Sequence, residues 1–457
     1  MIRKFGRILV LPNFFAEGKR KEQVEQTAKR YKTISESTAF MLLLTLLSGY
    51  LNAYTYATRG GIFANMHTGN MTKLGIGLAS GNVAGSWQYL APILAAVLGV
   101  VLVAAYRDGT GFDALRRLCS YGSGEESTAE AQYDYDASDS NRFAVLGDSL
   151  VVLSDTKLQV LARGGEEIWS TSVRMSAPAL ETGGGRAVAY DVGGTELYVV
   201  DEGGEILTLT APEDAPYFSA RLNEDGWLAV TTELPGYKGG VTAYNSQGTE
   251  VFSLTASDRF VIDARVTDDD NTLAVVTLGQ ENSVFVSNMV LYSLETAGNV
   301  DPAADYDVTD GLVAAVGEQD GQLVTVSDTC LTYASPAGEV RATYSYAGSY
   351  LREYDLHGDG FTALLLNRYK SGGVGRLVTV DTDGQEIAAL DVNEEILSIS
   401  AAGRYLAVLY MDSVVIYTEE LEIYAQLEGT DYARSVLMRQ DGSALLLAAE
   451  SAHLFLP

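Results

Sequence analysis

A chain of 457 residues has room for more than one domain, and its net charge of −29 is unevenly placed. Residues 1–129 carry 14 Lys+Arg against 8 Asp+Glu (+6), residues 130–457 carry 17 against 52 (−35), and the two balances sum to −29. The basic part suits a cytoplasmic membrane face, whereas the acidic part repels polyanions and excludes DNA and RNA as partners.

The first residues, Met1 to Phe15, open with basic side chains as a secretory signal does. Their apolar core is too short before Pro12, so a retained anchor is expected rather than a cleaved leader. Residues 18–33 read as a solvated basic helix in which Glu25 and Lys29 are spaced for an i,i+4 pair. Thr33 to Glu36 then match a capping box just ahead of an apolar run. Residues 1–37 are thus taken as a basic cytoplasmic segment.

Residues 38–106 read as a helical membrane region. Ala39 to Ala57 is uncharged over 19 residues, enough to cross about 30 Å of hydrocarbon. Trp87 to Tyr106 is a second such run, with Trp87, Tyr89 and Tyr106 placed for the two interfaces. Between them lies GIFANMHTGNMTKLGIG, Gly61 to Gly77, rich in glycine and polar side chains. Polar groups at membrane depth must find partners, so they face a bundle interior or a wet cavity. Asn52, Asn65, His67, Thr68, Asn70 and Lys73 are the candidate intramembrane polar site. The competing reading is that they only bond to neighbouring helices.

This segment resembles the YoaK family of multi-pass bacterial membrane proteins of unknown function. The likeness rests on Gly49-Tyr50, on Gly60 to Asn65 and on Thr68-Gly69-Asn70. It implies that Gly61 to Gly77 is a true second helix, giving about three helices where the family has about six. It also implies that Asn52 stands where the family often has an acidic residue. A transport site made by a full bundle would then need a homo-oligomer, or the segment is a vestige of a fusion. Nine Lys+Arg in residues 1–37 hold the N-terminus in the cytoplasm, and three crossings put everything after residue 106 outside. A re-entrant Gly61 to Gly77 would leave it inside.

After a juxtamembrane linker, 107–129, the texture becomes that of an all-β chain from residue 130. Short β-branched runs alternate with Gly/Asp turns. One turn recurs before an apolar strand: Asn223 to Gly226 before WLAVTT, Asp268 to Asn271 before TLAVVT, Glu318 to Gly321 before QLVTVS, His357 to Gly360 before FTALLL. A second turn follows each, as in Gly165 to Ile168, Gly248 to Val251, Gly338 to Val340 and Gly384 to Ile387. Two fixed joints per unit imply four strands per unit, and stacking such units radially gives a β-propeller. Units begin near residues 143, 177, 217, 261, 311, 350, 396 and 433. That predicts eight blades, with seven as the alternative. The last unit has three strands, and Ala129 to Ser138 is the candidate to complete it. Residues 107–124 and SNRFAVLGDSLVVLSD (140–155) resemble a family of membrane-anchored propeller proteins of unknown function from Gram-positive bacteria. That likeness implies no activity.

Chemical motifs are sparse. Two cysteines, Cys119 and Cys330, with no CxxC or Cys/His cluster, argue against zinc; free thiols are the default, with a disulfide between them left open. His357 and His453 read as structural or solvated. The Asp-rich stretches at 268–271 and 381–384 read as turns rather than calcium loops. The loop glycines Gly183 to Gly185 have no P-loop lysine behind them. Trp169 and Trp227 read as blade core. No cofactor and no catalytic set is expected. The expected function is a membrane-anchored binding or scaffolding propeller at the cell surface, with an unknown protein or cell-envelope ligand. The alternative is a transport-related membrane protein with the propeller as sensor or cap.

Overall fold

The apolar strands of the acidic part are too short to bury a core singly, so their pairing decides the architecture. In the structure, a computed structural model, residues 129–295, 300–309, 311–370 and 372–457 are described, together with position 76. The expected membrane helices and their polar residues Asn52, Asn65, His67, Thr68, Asn70 and Lys73 lie outside the described residues. Among the described residues no helix is long and apolar enough to cross a membrane. The chain divides into two units, Met1–Phe112 and Asp113–Pro457, and every described strand belongs to the second.

Eight antiparallel sheets of four strands make that second unit. Seven are consecutive in sequence, so each is a meander. We number the blades in chain order by their first strands: Arg142–Leu146, Pro178–Gly183, Tyr217–Leu222, Phe260–Val266, Val313–Gln319, Tyr350–Asp355, Ile396–Ala402 and Ser435–Met438. The eighth sheet takes its fourth strand from the start of the unit. Ala129–Asp134 pairs with Ser451–Phe455, Ala129 opposite Phe455 and Asp134 opposite Ser451. Tyr133 is buried beside this seam, and the Tyr135 hydroxyl donates toward the carbonyls of Ala448 and Ser451. Burial lifts the Tyr135 phenol well above its usual range, so it stays a donor.

A four-stranded sheet with two apolar faces must be covered twice. Here every sheet is covered by its two neighbours: eight apolar clusters each join one pair of adjacent blades. The cluster holding Leu150, Val152, Leu445 and Leu454 joins the eighth blade to the first. The ring is therefore closed, and seven blades are ruled out. The edges that remain are the short ones of each separate four-stranded sheet, at the channel and at the rim.

The two recurring turns are left-handed at one position. Gly165, Gly248, Gly338 and Gly384 take positive φ in the turn before the fourth strand, and a bulge follows in each pairing. That is the hairpin in which a type I turn is closed by a left-handed residue. Gly204 holds the equivalent place in blade 2 at φ +118, where a Cβ would lie 2.8 Å from the Trp169 ring. Trp169 and Trp227 pack against the clusters of blades 1–2 and 3–4, as blade core.

Candidate functional site

Meandering strands put the links between strands one and two, and three and four, at one end of every blade. We call this the turn end. The links between strands two and three, and between blades, lie at the other, the loop end. The turn end is stitched around the ring. The Asn223 side chain donates to Thr267 O and Asp270, and Asp268 N–H donates to Glu318. Gln319 donates to the carbonyls of Leu356 and Phe361, and Asp359 N–H to Gly403 O. Arg439 donates to Gly147 O and Asp148 Oδ1, closing blade 8 on blade 1, and Asp148 N–H donates to Glu202 of blade 2.

The first strands line the central channel, and their inner edges leave backbone groups without a sheet partner. Side chains from neighbouring blades meet some of those groups. Glu353 accepts from Ile399 N–H at 3.2 Å and Asp355 from Ala401 N–H at 2.9 Å. Glu318 accepts from Asp268 N–H at 2.8 Å. Burial raises the Glu318 carboxyl to about 7 and that of Glu353 to about 6, outweighing the backbone N–H each accepts and the pull of Arg265 and Arg352.

The densest ionic group spans blades 2, 3 and 4. Arg221 reaches Glu181 at 2.8 Å and Asp263 at 3.0 Å, and Ser219 donates to Asp263 at 2.7 Å. Asp263 is buried, and these donors satisfy its oxygens. Desolvation pushes the Glu181 carboxyl upward against the pull of Arg221. Across the channel, in blade 6, His357 Nδ1 lies 2.7 Å from Asp355 Oδ1. That contact raises the imidazole, and the Glu181 carboxylate of blade 2 adds to the effect. The His357 side chain is largely exposed, as a solvated residue would be, yet it has an acidic partner. Asp355, two residues earlier, accepts from both its backbone N–H and its ring. The Asp-x-His spacing at a strand end was the available signal. His453 meets Ser451 and the face of Tyr432, a structural role.

The channel roles of Arg221, Asp263, Glu318 and Glu353 escaped sequence reasoning because a charge within a strand does not name its partner in another blade. The usable sign was its place, a few residues before the recurring turn in Ala220-Arg221-Leu222 and Ala264-Arg265-Val266. Arg265 meets Asp268 at 2.9 Å and Leu222 O of the blade before. The Asp-rich turn at 268–271 is thus an inter-blade tie. Among the described residues no group of three or more His, Cys, Asp or Glu side chains is placed to hold a metal ion. Cys330 is a buried free thiol; Cys119 lies outside the described residues.

The loop end differs in kind. Every exposed Phe or Tyr among the described residues stands there: Phe218, Tyr237, Phe260, Phe285, Tyr350, Tyr369 and Tyr432. The large apolar residues exposed toward the turn end, such as Ile168, Val251 and Ile423, are aliphatic and sit on the outer strands.

Comparison with known proteins extends these findings. The fold is similar to the C-terminal WD40 domain of Sif2, at TM-score 0.53 and 14% identity, covering 73% of this chain and all of that one. The dihydro-heme d1 dehydrogenase NirN is also similar, at TM-score 0.48 and 15% identity, covering 74% of this chain and 78% of that one. At such identities the likeness concerns the fold alone. No curated protein matches the chain. Residues 40–121 match a family model described as a protein of unknown function, DUF1275. That match takes in most of residues 107–124, which the sequence reading had linked to the propeller family. A second model, described as a family of unknown function, matches residues 123–438, well over half of the chain, and on that ground the protein belongs to the DUF5711 family.

Proposed function

We propose that this protein is a membrane-anchored binding or scaffolding protein, its propeller displayed at the cell surface and performing no chemistry. The observation that carries the reading is the division between the two ends of the ring. The ionisable groups of the channel are engaged in tying blade to blade. Exposed aromatic side chains, which supply contact area at small entropic cost, gather at the loop end. Anchoring rests on the apolar runs 39–57 and 87–106 and on the basic residues ahead of them.

The test uses the full chain in intact cells. Membrane-impermeant crosslinking should capture a discrete envelope component, and replacing Tyr350 and Tyr369 together by serine should abolish that capture. Capture unchanged by the double substitution would contradict a binding role for this face. Protease added to intact cells should release the ring; a ring cut only after lysis would contradict the surface placement.

A further inference from the structure

Three features of the ring invite a functional reading. One is the channel group of Glu181, Arg221 and Asp263, paired with one another, with His357 across the channel paired to Asp355. Another is the cleft between blades 2 and 3, where Arg186 is already spent on the carbonyls of Gly226 and Ser246. The third is the loop end, and it carries the argument further.

Phe260, Phe285, Tyr237, Tyr350, Tyr369 and Met411 are exposed there from 48% (Tyr350) to 62% (Tyr369), on blades 3, 4, 6 and 7. The long hairpin of blade 4, strands Thr272–Glu281 and Val284–Ser293, projects beyond its neighbours. Val284 and Phe285 stand at its tip, after a turn in which Asn282 and Ser283 both take positive φ. Arg259 braces it through Glu281, Val286 O and Asn288. A projecting apolar tip held in this way is a fixed contact rather than a loose loop.

The sign of the charge selects the partner. The links 135–141, 154–156, 211–216, 393–395, 411–412 and 448–450 carry acidic residues and no Lys or Arg. Of the cations at this end, Lys157 is tied to Glu167, Arg259 to Glu281 and Arg434 to Asp139, leaving Arg142, Arg174, Lys238, Arg368 and Lys370 as a minority against the carboxylates. A second copy of this face, an anionic bilayer or a nucleic acid would each meet like charge. The face also shows what it accepts: Lys238 Nζ lies over the Phe260 ring at 4.1 Å from its centroid. A cation on an aromatic face flanked by carboxylates is favourable when partly desolvated.

We propose that the loop end docks a basic polypeptide segment, Lys or Arg side chains meeting its carboxylates and ring faces, and apolar side chains packing between Phe260, Phe285 and Tyr350. This rests on the binding role proposed above and names its partner class. The closing strand Ala129–Asp134 starts at the turn end of its blade.

The experiment measures fluorescence anisotropy of a short labelled peptide of alternating Lys and Tyr, titrated with the full chain in detergent micelles. Alternating Glu–Tyr and Lys–Gly peptides and a neutral chito-oligosaccharide are the comparison probes. The Lys–Tyr peptide should bind about tenfold more tightly than the Lys–Gly peptide, and the Glu–Tyr peptide and the glycan should not bind. Y350S together with Y369S should weaken the Lys–Tyr complex roughly tenfold, with the thermal midpoint of the ring unchanged. Equal binding of the two lysine peptides, indifference to the double substitution, or a response to the glycan alone would each overturn the proposal. If cell-surface capture still depends on the same tyrosines while the basic peptide fails, the partner class falls and the binding role stands.

Discussion

The two ends of the ring are made from the same thirty-two strands but solve different problems. At the turn end, apart from the ten-residue link 294–303 of blade 4, the links are short and most carry a left-handed residue, and polar side chains cross from one blade to the next. At the loop end the links vary in length, and rings that would ordinarily be buried face solvent. A repeat must close its blades at one end in the same way each time, so that end is constrained by geometry. The other end is free to vary, and contact residues accumulate where backbone geometry asks least.

The largest effect that would break this comparison lies in the channel. Arg221→Met should cost about 3–5 kcal/mol at neutral pH, because Glu181 and the buried Asp263 lose their counter-charge. Denaturant unfolding of the ring, followed by tryptophan fluorescence, reads this. Adding E181Q and D263N to the same chain should restore most of the loss, and failure to restore it would mean that Arg221 acts through packing alone.

A somewhat smaller effect is expected at Gly204. With φ at +118 and the Trp169 ring in the way of a Cβ, Gly204→Ala should cost roughly 2–4 kcal/mol. A loss under about 1 kcal/mol, seen as a nearly unchanged thermal midpoint, would show that blade 2 yields at its turn.

The carboxyls with raised affinity for protons give a pH signature. Glu318 moves from 4.5 to about 7 on folding, so the folded chain holds its proton more tightly than the unfolded one. Its contribution to stability is complete below 4.5 and is lost as pH rises through 7. Glu318→Gln keeps an acceptor for Asp268 N–H and should raise stability at pH 8 by about 1–2 kcal/mol, with little change at pH 4. Thermal midpoints at the two pH values decide it; an equal shift at both would point to packing instead.

The smallest expected effects belong to the loop end. Phe285→Ser and Tyr369→Ser should each leave the unfolding midpoint within about 0.5 kcal/mol of the parent, since neither ring is buried. A large loss of stability from either would mean that the exposed face supports the ring.

How much of this could be read from the chain varies with the feature. The repeated turns gave away the blade number and the start of each unit, because a left-handed glycine before a β-branched run is dictated locally. Ala129 to Ser138 was recognisable as the missing strand by its likeness to Ala342 to Ser349, and the pairing of Ala129–Asp134 with Ser451–Phe455 is what closes the ring. The channel pairs were not legible. Arg221 and Glu181 are 40 residues apart in different blades, and nothing local to either names the other. The aromatic face was hidden for a similar reason. Phe260 and Tyr350 look like ordinary strand residues until one knows that each is the first residue of a first strand, at the loop end.

The division of labour between the ends is tested most directly by hydrogen–deuterium exchange of the full chain with and without its captured partner. Protection is expected at the loop end, in residues 233–238, 279–286 and 368–374, with the turn-end links 223–227 and 267–272 unchanged. Protection confined to the turn-end links, or spread evenly around both ends, would contradict it.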